Sequence, residues 1–498
     1  MWLLDALEER KNDDSVAIVY REEKISFKEL WQRSECIARY LLNKGYNKHP
    51  LVIYGNKEID IIPCMHAALK VGVPYVPVDT LYPAARLKKI ADICEADLII
   101  NFSAESGFGC NEINQEELKE IYVGKNVTSD KTIWVKEEDI CYILFTSGST
   151  GEPKGVPISK ENLINFADWF IKYIDLAGES NGVINQAPYS FDLSVIGLFV
   201  CLPKGKYLLN IDKTMSGNYA ELSECLSTNH PGIWISTPSF FDVCTYEKAF
   251  YGAAASLKLI LFDGEVFPKK LARKIFDNIA GVRVVNAYGP TEATVAISGC
   301  EIVPEMLDNE SELPIGTLLD DGVMQIVPEY TINDGTCTVG ELSICSKSVA
   351  RGYYKNKVQT EKSFFSSNGL NGYRTGDLVF EKDNLLYYIG RKDFQIKLNG
   401  YRIELSDIEN NLNKLPQIAK SVVLPISKDG KIEYLAAFIV AGDGMPESNL
   451  KASILVKKEL SELVPIYMVP KKIVVVDGFP LNTNGKVDRK KLLEEINL

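Results

Sequence analysis

The chain has 498 residues, of which 46% are apolar and 24% charged, with a formal net charge of −12. The length exceeds one compact core and predicts several domains, and the acidic balance lacks the basic stripe that a nucleic-acid surface needs. Eleven scattered cysteines with no CxxC pair, and only three histidines, argue against a zinc site or a disulfide framework and fit a reducing cytosol. The N-terminal MWLLDALEERKNDD meets acidic residues too early for a signal peptide, and no apolar run reaches membrane-spanning length. These features predict a cytoplasmic protein without membrane insertion.

Residues 15–27 alternate like a hairpin with its turn at Glu22-Glu23. Ser26 and Glu29 then form a capping box before the helix KELWQRSECIARYLLNK, which Gly45 ends. Leu51–Tyr54 reads as a buried strand, Ile59–Val71 as an apolar helix, VGVPYVPVDTLYP as strand and loop, and 97–101 as another strand. An apolar run from Ile140 to Phe145 breaks into Thr146-Ser147-Gly148-Ser149-Thr150-Gly151-Glu152-Pro153-Lys154-Gly155. Such a loop of glycines, hydroxyls and one lysine offers backbone N–H groups and donors to a polyphosphate. It is not a Walker A loop, because GxxxxGK[ST] is absent. Ser159 caps the following helix.

A second series of strands and helices runs from about 182 to 300, with strands GVINQAP, KYLLN, GIWIST, LKLILFDG and VRVVNAYG. This alternation predicts an α/β fold of helix-covered, mainly parallel sheets. From about 313 the pattern becomes β-rich (GVMQIV, CTVGELSIC, LVFEK, LLYYIG) and predicts a β subdomain to 392. The N-terminal core is therefore expected over 1–392. Residues 393–498 are expected to form a small mobile α+β lobe: strand FQIKLNGY, helix LSDIENNLNKL, strands KSVVLPI and EYLAAFIV, helix ILVKKELSELV, strand KKIVVV and a short last helix.

Particular side chains carry chemistry. Asp377, after Arg374-Thr375-Gly376, is placed at the end of a strand-turn, where its carboxylate either accepts two ribose hydroxyls or caps a helix. Tyr288-Gly289 joins an aromatic face to a bare backbone, which suits a stacked base. Asn286 has both amide donors and an acceptor for a base edge.

The TSGSTGEPKG loop, NAYGPTEAT (286–294), YRTGDL (373–378), YIGRKDFQIKLNGYRIEL (388–405) and NTNGKVDR (482–489) together resemble the adenylate-forming superfamily, in order and across essentially the whole chain. NQAPYSFDLSV (185–195), WISTPSF (234–240) and PVDTLYPAARLKKI (77–90) are most similar to the D-alanine–carrier-protein ligases and the adenylation domains of nonribosomal peptide synthetases. The resemblance implies activation of a small amino acid with ATP and Mg²⁺, D-alanine being favoured, and transfer to the phosphopantetheine thiol of a separate carrier protein. With D-alanine, it further implies teichoic acid D-alanylation.

By the same resemblance, Thr146 to Gly151 and Lys154 clamp the β- and γ-phosphates. Asn286, Ala287, Tyr288, Gly289, Asp377 and Arg391 hold the nucleoside. Thr291 and Glu292 act at the phosphates, with Glu292 as the Mg²⁺ ligand because that ion prefers oxygen donors. Lys486 is the catalytic lysine, aligning the substrate carboxylate and stabilising charge at the α-phosphate. Asp393 is the hinge about which the lobe turns, and Asn399 and Gly400 line a thiol tunnel; many relatives have histidine where Asn399 stands. Asp192 holds the substrate amine, with Leu193, Ile196, Ser236, Leu261, Asp263, Ala287, Val295 and Ala296 around it.

Asp263 departs from the family, since the D-alanine ligases have Cys there. Three outcomes stay open: Asp263 pairs with an extra or displaced amine on a diamino or β-amino acid, it is protonated or bridged by water beside D-alanine, or it points away. The chain ends soon after Lys486, so the thiol acceptor is expected on another protein. The competing readings are the same chemistry on another small, β-amino or diamino acid in a specialised peptide pathway, an acyl- or aryl-CoA ligase, against which Asp192 speaks, and a non-catalytic scaffold that kept the fold.

Overall fold

The computed structural model describes residues 2–123, 130–148, 152–308, 312–332, 337–392, 395–428, 431–480, 487 and 489–495. Ser149, Thr150, Gly151, Asp393 and Lys486 lie outside the described residues. The chain divides into two compact units: Met1–Thr80, Ala91–Phe145 and Gly155–Lys392 form one; Leu81–Ile90, Thr146–Lys154 and Asp393–Leu498 form the other.

The first unit holds two helix-covered sheets. One has six strands in the order Asn111–Asn114, Leu98–Asn101, Leu51–Tyr54, Tyr75–Val78, Ile140–Thr146 and Lys154–Ser159. The strands Leu51–Tyr54, Tyr75–Val78 and Leu98–Asn101 are buried at every position and pair in parallel. That burial is why they read as unbroken apolar runs. The expected helix caps form: Ser26 and Glu29 exchange backbone-to-side-chain bonds at 3.2 and 2.8 Å, Gly45 closes the same helix at φ +75°, and Ser159 pairs likewise with Asn162.

The other sheet has nine strands, and its centre is parallel. Asn185, Ser236, Phe262 and Tyr288 are the last residues of four of these strands, which lie side by side. In open α/β sheets the crevice beyond such carboxyl ends is where ligands bind. A strand that sequence reasoning missed, Ser298–Ile302, returns antiparallel to Arg283–Tyr288.

The β-rich stretch forms a five-stranded antiparallel sheet whose longest strand is Leu370–Lys382. Asp377 lies inside this strand, not at its end. Residues 375–377 bulge opposite Leu342, with Gly376 at φ +72° and Thr375 Oγ1 donating to the Leu342 carbonyl at 2.7 Å. The glycine signal therefore marks a bulge within a strand rather than a turn.

In the second unit, FQIKLNGY resolves into one arm and the turn of a hairpin, Gln395–Leu398 with Tyr401–Glu404. Asn399 and Gly400 turn it at φ +52° and +81°, the pair of left-handed residues a type I′ turn requires. A three-stranded sheet of Ile418–Lys428, Lys431–Ala441 and Lys472–Val476 follows, packed by helices Leu405–Leu412 and Asn449–Ser461. Leu81–Ile90 and Thr146–Lys154 belong to this unit, although the sequence assigns both to the N-terminal core. Their charged and hydroxyl groups explain it: Arg86 pairs with Asp407 at 3.5 Å, Lys154 with Glu404 at 3.5 Å, and Ser147 Oγ donates to the Arg402 carbonyl at 3.0 Å. Among the described residues no helix is long and apolar enough to cross a membrane.

Candidate active site

The best-built part of the site is the segment that leaves the strand Arg283–Tyr288. Asn286 is buried, and its amide Nδ2 donates to the Pro314 carbonyl at 2.8 Å. Its Oδ1 is buried and has no partner among the described residues. One of the two amide donors is thus committed to the fold, and the acceptor remains, suited to an exocyclic amine. Tyr288 donates to Asp377 Oδ2, and Arg391 donates to Asp377 Oδ1 at 2.7 Å. Burial first, and the Asp377 carboxylate next, hold the Tyr288 phenol well above its ordinary value. Residues 89 and 14 positions from Asp377 thus meet at one carboxylate.

Glycine is required at position 289. A Cβ there would stand 2.4 Å from the Val295 carbonyl oxygen. The chain returns so closely because Thr294 and Val295 both take left-handed backbone, φ +58° and +68°. The Ala296 N–H donates to the Thr294 carbonyl at 2.9 Å, so Val295 centres a γ-turn, a strained geometry for a β-branched residue that costs on the order of 1–3 kcal/mol. Thr294 Oγ1 donates to the Ser348 carbonyl at 2.6 Å and ties the turn down. Asn162 Nδ2 in turn donates to the carbonyls of Lys347 and Val349 at 2.6 and 3.2 Å.

Between Gly289 and this turn, Thr291 Oγ1 donates to Asp192 Oδ2 at 2.6 Å. Glu292 is fully buried, and its Oε1 accepts the Tyr353 hydroxyl at 2.7 Å. Sequence reasoning missed Tyr353, Thr294 and Ser348. Tyr353 reads as one apolar ring in Arg351-Gly352-Tyr353-Tyr354, and its partner lies 61 residues away. The Glu292 carboxylate is a hard oxygen donor, so its chemistry fits Mg²⁺.

Leu193 lies in a run of turns and Ile196 opens a π-helical stretch, Ile196–Cys201; both are buried. Leu261, Ala287, Val295 and Ala296 are buried as well. The Ser236 hydroxyl is occupied locally, accepting from Trp234 Nε1 at 2.7 Å and donating to the Thr237 carbonyl at 2.8 Å. It therefore shapes the site rather than offering a free polar contact. Asp263 is buried and accepts the Gly264 N–H at 2.7 Å.

In the second unit, Ser147 Oγ also accepts the Glu404 N–H at 3.1 Å. A Cβ on Gly148 would stand 2.2 Å from the Glu152 carbonyl. Burial raises Asp407 above the usual carboxylate range, while Arg86 and then the Gly148 amide oppose that shift. Thr146 ends its strand half-buried.

The AMP-binding enzyme model matches residues 6–354, and the AMP-binding enzyme C-terminal domain model matches 407–486. The chain belongs to the AMP-binding enzyme family. Its relatives in the family include the D-alanine–D-alanyl carrier protein ligase of Bacillus licheniformis, 38% identical over 491 residues and 97% of each chain. The fold is shared with an o-succinylbenzoate CoA synthetase from Bacillus subtilis, with TM-score 0.82, 19% identity and 98% of each chain covered. It is also shared with a Vibrio cholerae adenylation domain solved with glycyl-adenosine-5′-phosphate, with TM-score 0.79, 21% identity, and 99% of this chain and 97% of that one covered.

Proposed function

We propose that this AMP-binding enzyme activates a small amino acid, D-alanine foremost, as its aminoacyl adenylate and passes it to the phosphopantetheine thiol of a separate carrier protein. The observation that carries the reading is the contact of Asp192 with Thr291, one residue from the buried Glu292. It joins a carboxylate suited to an ammonium group to the carboxylate suited to the phosphate side. The full-length similarity to ligases named for D-alanine and a carrier protein supports the substrate and the acceptor. The need for ATP is consistent with a cytoplasmic reaction.

In the first step a carboxylate oxygen of the amino acid attacks the α-phosphorus, the bond to the β-phosphate breaks, and pyrophosphate leaves. Asp192 anchors the amine so that the carboxylate faces phosphorus. Asn286 Oδ1 accepts from the adenine amine, with Tyr288 and Gly289 against the base. Asp377, already steered by Tyr288 and Arg391, receives the ribose hydroxyls. Bound Mg²⁺, held by Glu292 together with phosphate oxygens, would neutralise charge on the leaving pyrophosphate. Lys486 supplies the remaining positive charge at the α-phosphate. In the second step the thiolate attacks the carbonyl carbon and AMP leaves. The lobe from Asp393 onward turns about that residue between steps, and Asn399-Gly400 presents a narrow turn to the pantetheine arm.

ATP–pyrophosphate exchange across D-, L-, β- and diamino acids tests the reading. Exchange with D-alanine is expected; exchange with no amino acid would sink it. A transfer rate to CoA equal to that to a carrier protein would favour an acyl-CoA ligase. Asp263→Cys is expected to change the relative kcat/KM of D-alanine against diamino acids; an unchanged preference removes Asp263 from the pocket.

A further inference from the structure

Lys57 and Lys70 of the first unit are almost wholly shielded from solvent, and they are held in opposite ways. Lys70 has its counterion: Nζ donates to Glu35 Oε1 at 2.6 Å and Ser34 Oγ at 2.8 Å, with the Trp31 ring 3.2 Å away. Lys57 is 1% exposed, and among the described residues no carboxylate lies within ion-pair distance of it. Its ammonium donates to the Ala187 carbonyl at 2.7 Å and to Asn185 Oδ1 at 3.1 Å, and it lies 3.8 Å from the centre of the Tyr189 ring. Burial pulls its pKa well below that of an ordinary lysine, and Asp79 and Glu58 oppose this only through space.

A lone buried ammonium is expensive, and an apolar side chain of similar volume usually serves a fold as well or better. What Lys57 secures is therefore informative. All three contacts fall within 185–189, a segment that ends three residues before Asp192. The same segment is closed by Asn210, whose Nδ2 donates to the Lys57 carbonyl at 3.0 Å and whose Oδ1 accepts from Asn185 Nδ2 at 2.8 Å. From there to Asp192 the backbone is a chain of tight turns: Phe191 N–H to the Pro188 carbonyl at 2.9 Å, Ser194 to Phe191 at 3.1 Å, and Val195 to Asp192 at 2.8 Å. A shift at Ala187 is thus passed to Asp192 with little slack.

We infer that Lys57 is a positioning residue for the substrate amine: it fixes residues 185–189 so that the Asp192 carboxylate meets both Thr291 and the ammonium group of the amino acid. This rests on the reading of Asp192 given under the proposed function.

The test is ATP–pyrophosphate exchange by the full chain carrying Lys57→Met or Lys57→Gln, with D-alanine or the best amino acid of the panel above. Each variant is expected to raise the amino acid KM by about tenfold, the glutamine less than the methionine, with the ATP KM within about twofold. The Tm of Lys57→Met is expected to be unchanged or higher. In combination with Asp192→Asn, Lys57→Met should add little, because it acts through that carboxylate. Flat amino acid KM values in both variants while Asp192→Asn is severe would overturn the inference and leave the function standing. Flat values in all three would overturn both. Equal rises in both KM values, or loss of folding in both variants, would make Lys57 a residue of the fold and also overturn it.

Discussion

Residues 286–296 of the larger unit and residues 146–154 of the smaller one each carry candidate nucleotide ligands, yet they are built in opposite ways. The first stretch is tied at almost every step: Asn286 to Pro314, Tyr288 to Asp377, Thr291 to Asp192, Glu292 to Tyr353 and Thr294 to Ser348. Its donors and acceptors are aimed before any ligand arrives, which is the arrangement that stabilises developing charge without reorganisation. The second stretch leaves its sheet at Thr146, and two of its described polar side chains are engaged by residues of the smaller unit: Ser147 by Arg402 and Glu404, Lys154 by Glu404. On the proposed function, a phosphate taken by this loop has to replace those bonds, so the loop is expected to contribute less than the frame. On that function, the contrast is expected to separate a preorganised frame from an exchangeable clamp.

Lys486→Ala sets the upper end of the scale. It is expected to lower ATP–pyrophosphate exchange about 10²–10³-fold while thioester formation from preformed adenylate falls less than about tenfold. Equal loss of both steps would contradict a lysine that acts in the first step alone. Within the frame, Glu292→Gln is expected to lower exchange about 10²-fold and to raise the Mg²⁺ concentration needed for half-maximal rate. A loss no larger than that of a loop variant would break the comparison. Thr294→Val leaves the buried Ser348 carbonyl without its donor and should cost about 1–3 kcal/mol of stability by urea unfolding, with a raised amino acid KM. An unchanged Cm would mean the γ-turn holds without that tie. The smallest effect is expected at Ser147→Ala: a rise of about threefold in the ATP KM with kcat nearly unchanged, because the hydroxyl is already bonded before the phosphate arrives. A fall in kcat as large as that of Glu292→Gln would show the loop to be part of the frame.

The sequence by itself determined the elements and the identity of most candidate residues. Buried parallel strands announce themselves as apolar runs, caps such as Ser26-Glu29 are local chemistry, and the motifs around Tyr288, Asp377 and Arg391 lie in continuous stretches. Local signals fail where a residue's role depends on what lies far along the chain. Gly376 looks like a turn until Leu342 is placed opposite it. Tyr353 is one more aromatic ring until it reaches Glu292. Lys57, unremarked in the sequence, becomes legible only when Ala187 and Asn185 close over it. The assignment of 81–90 and 146–154 to the smaller unit was likewise decided by tertiary contacts. The physical reason is common to all four: helix and strand propensities act over a few residues, whereas burial and the satisfaction of polar groups are settled by whichever distant residues the fold brings within about 3 Å.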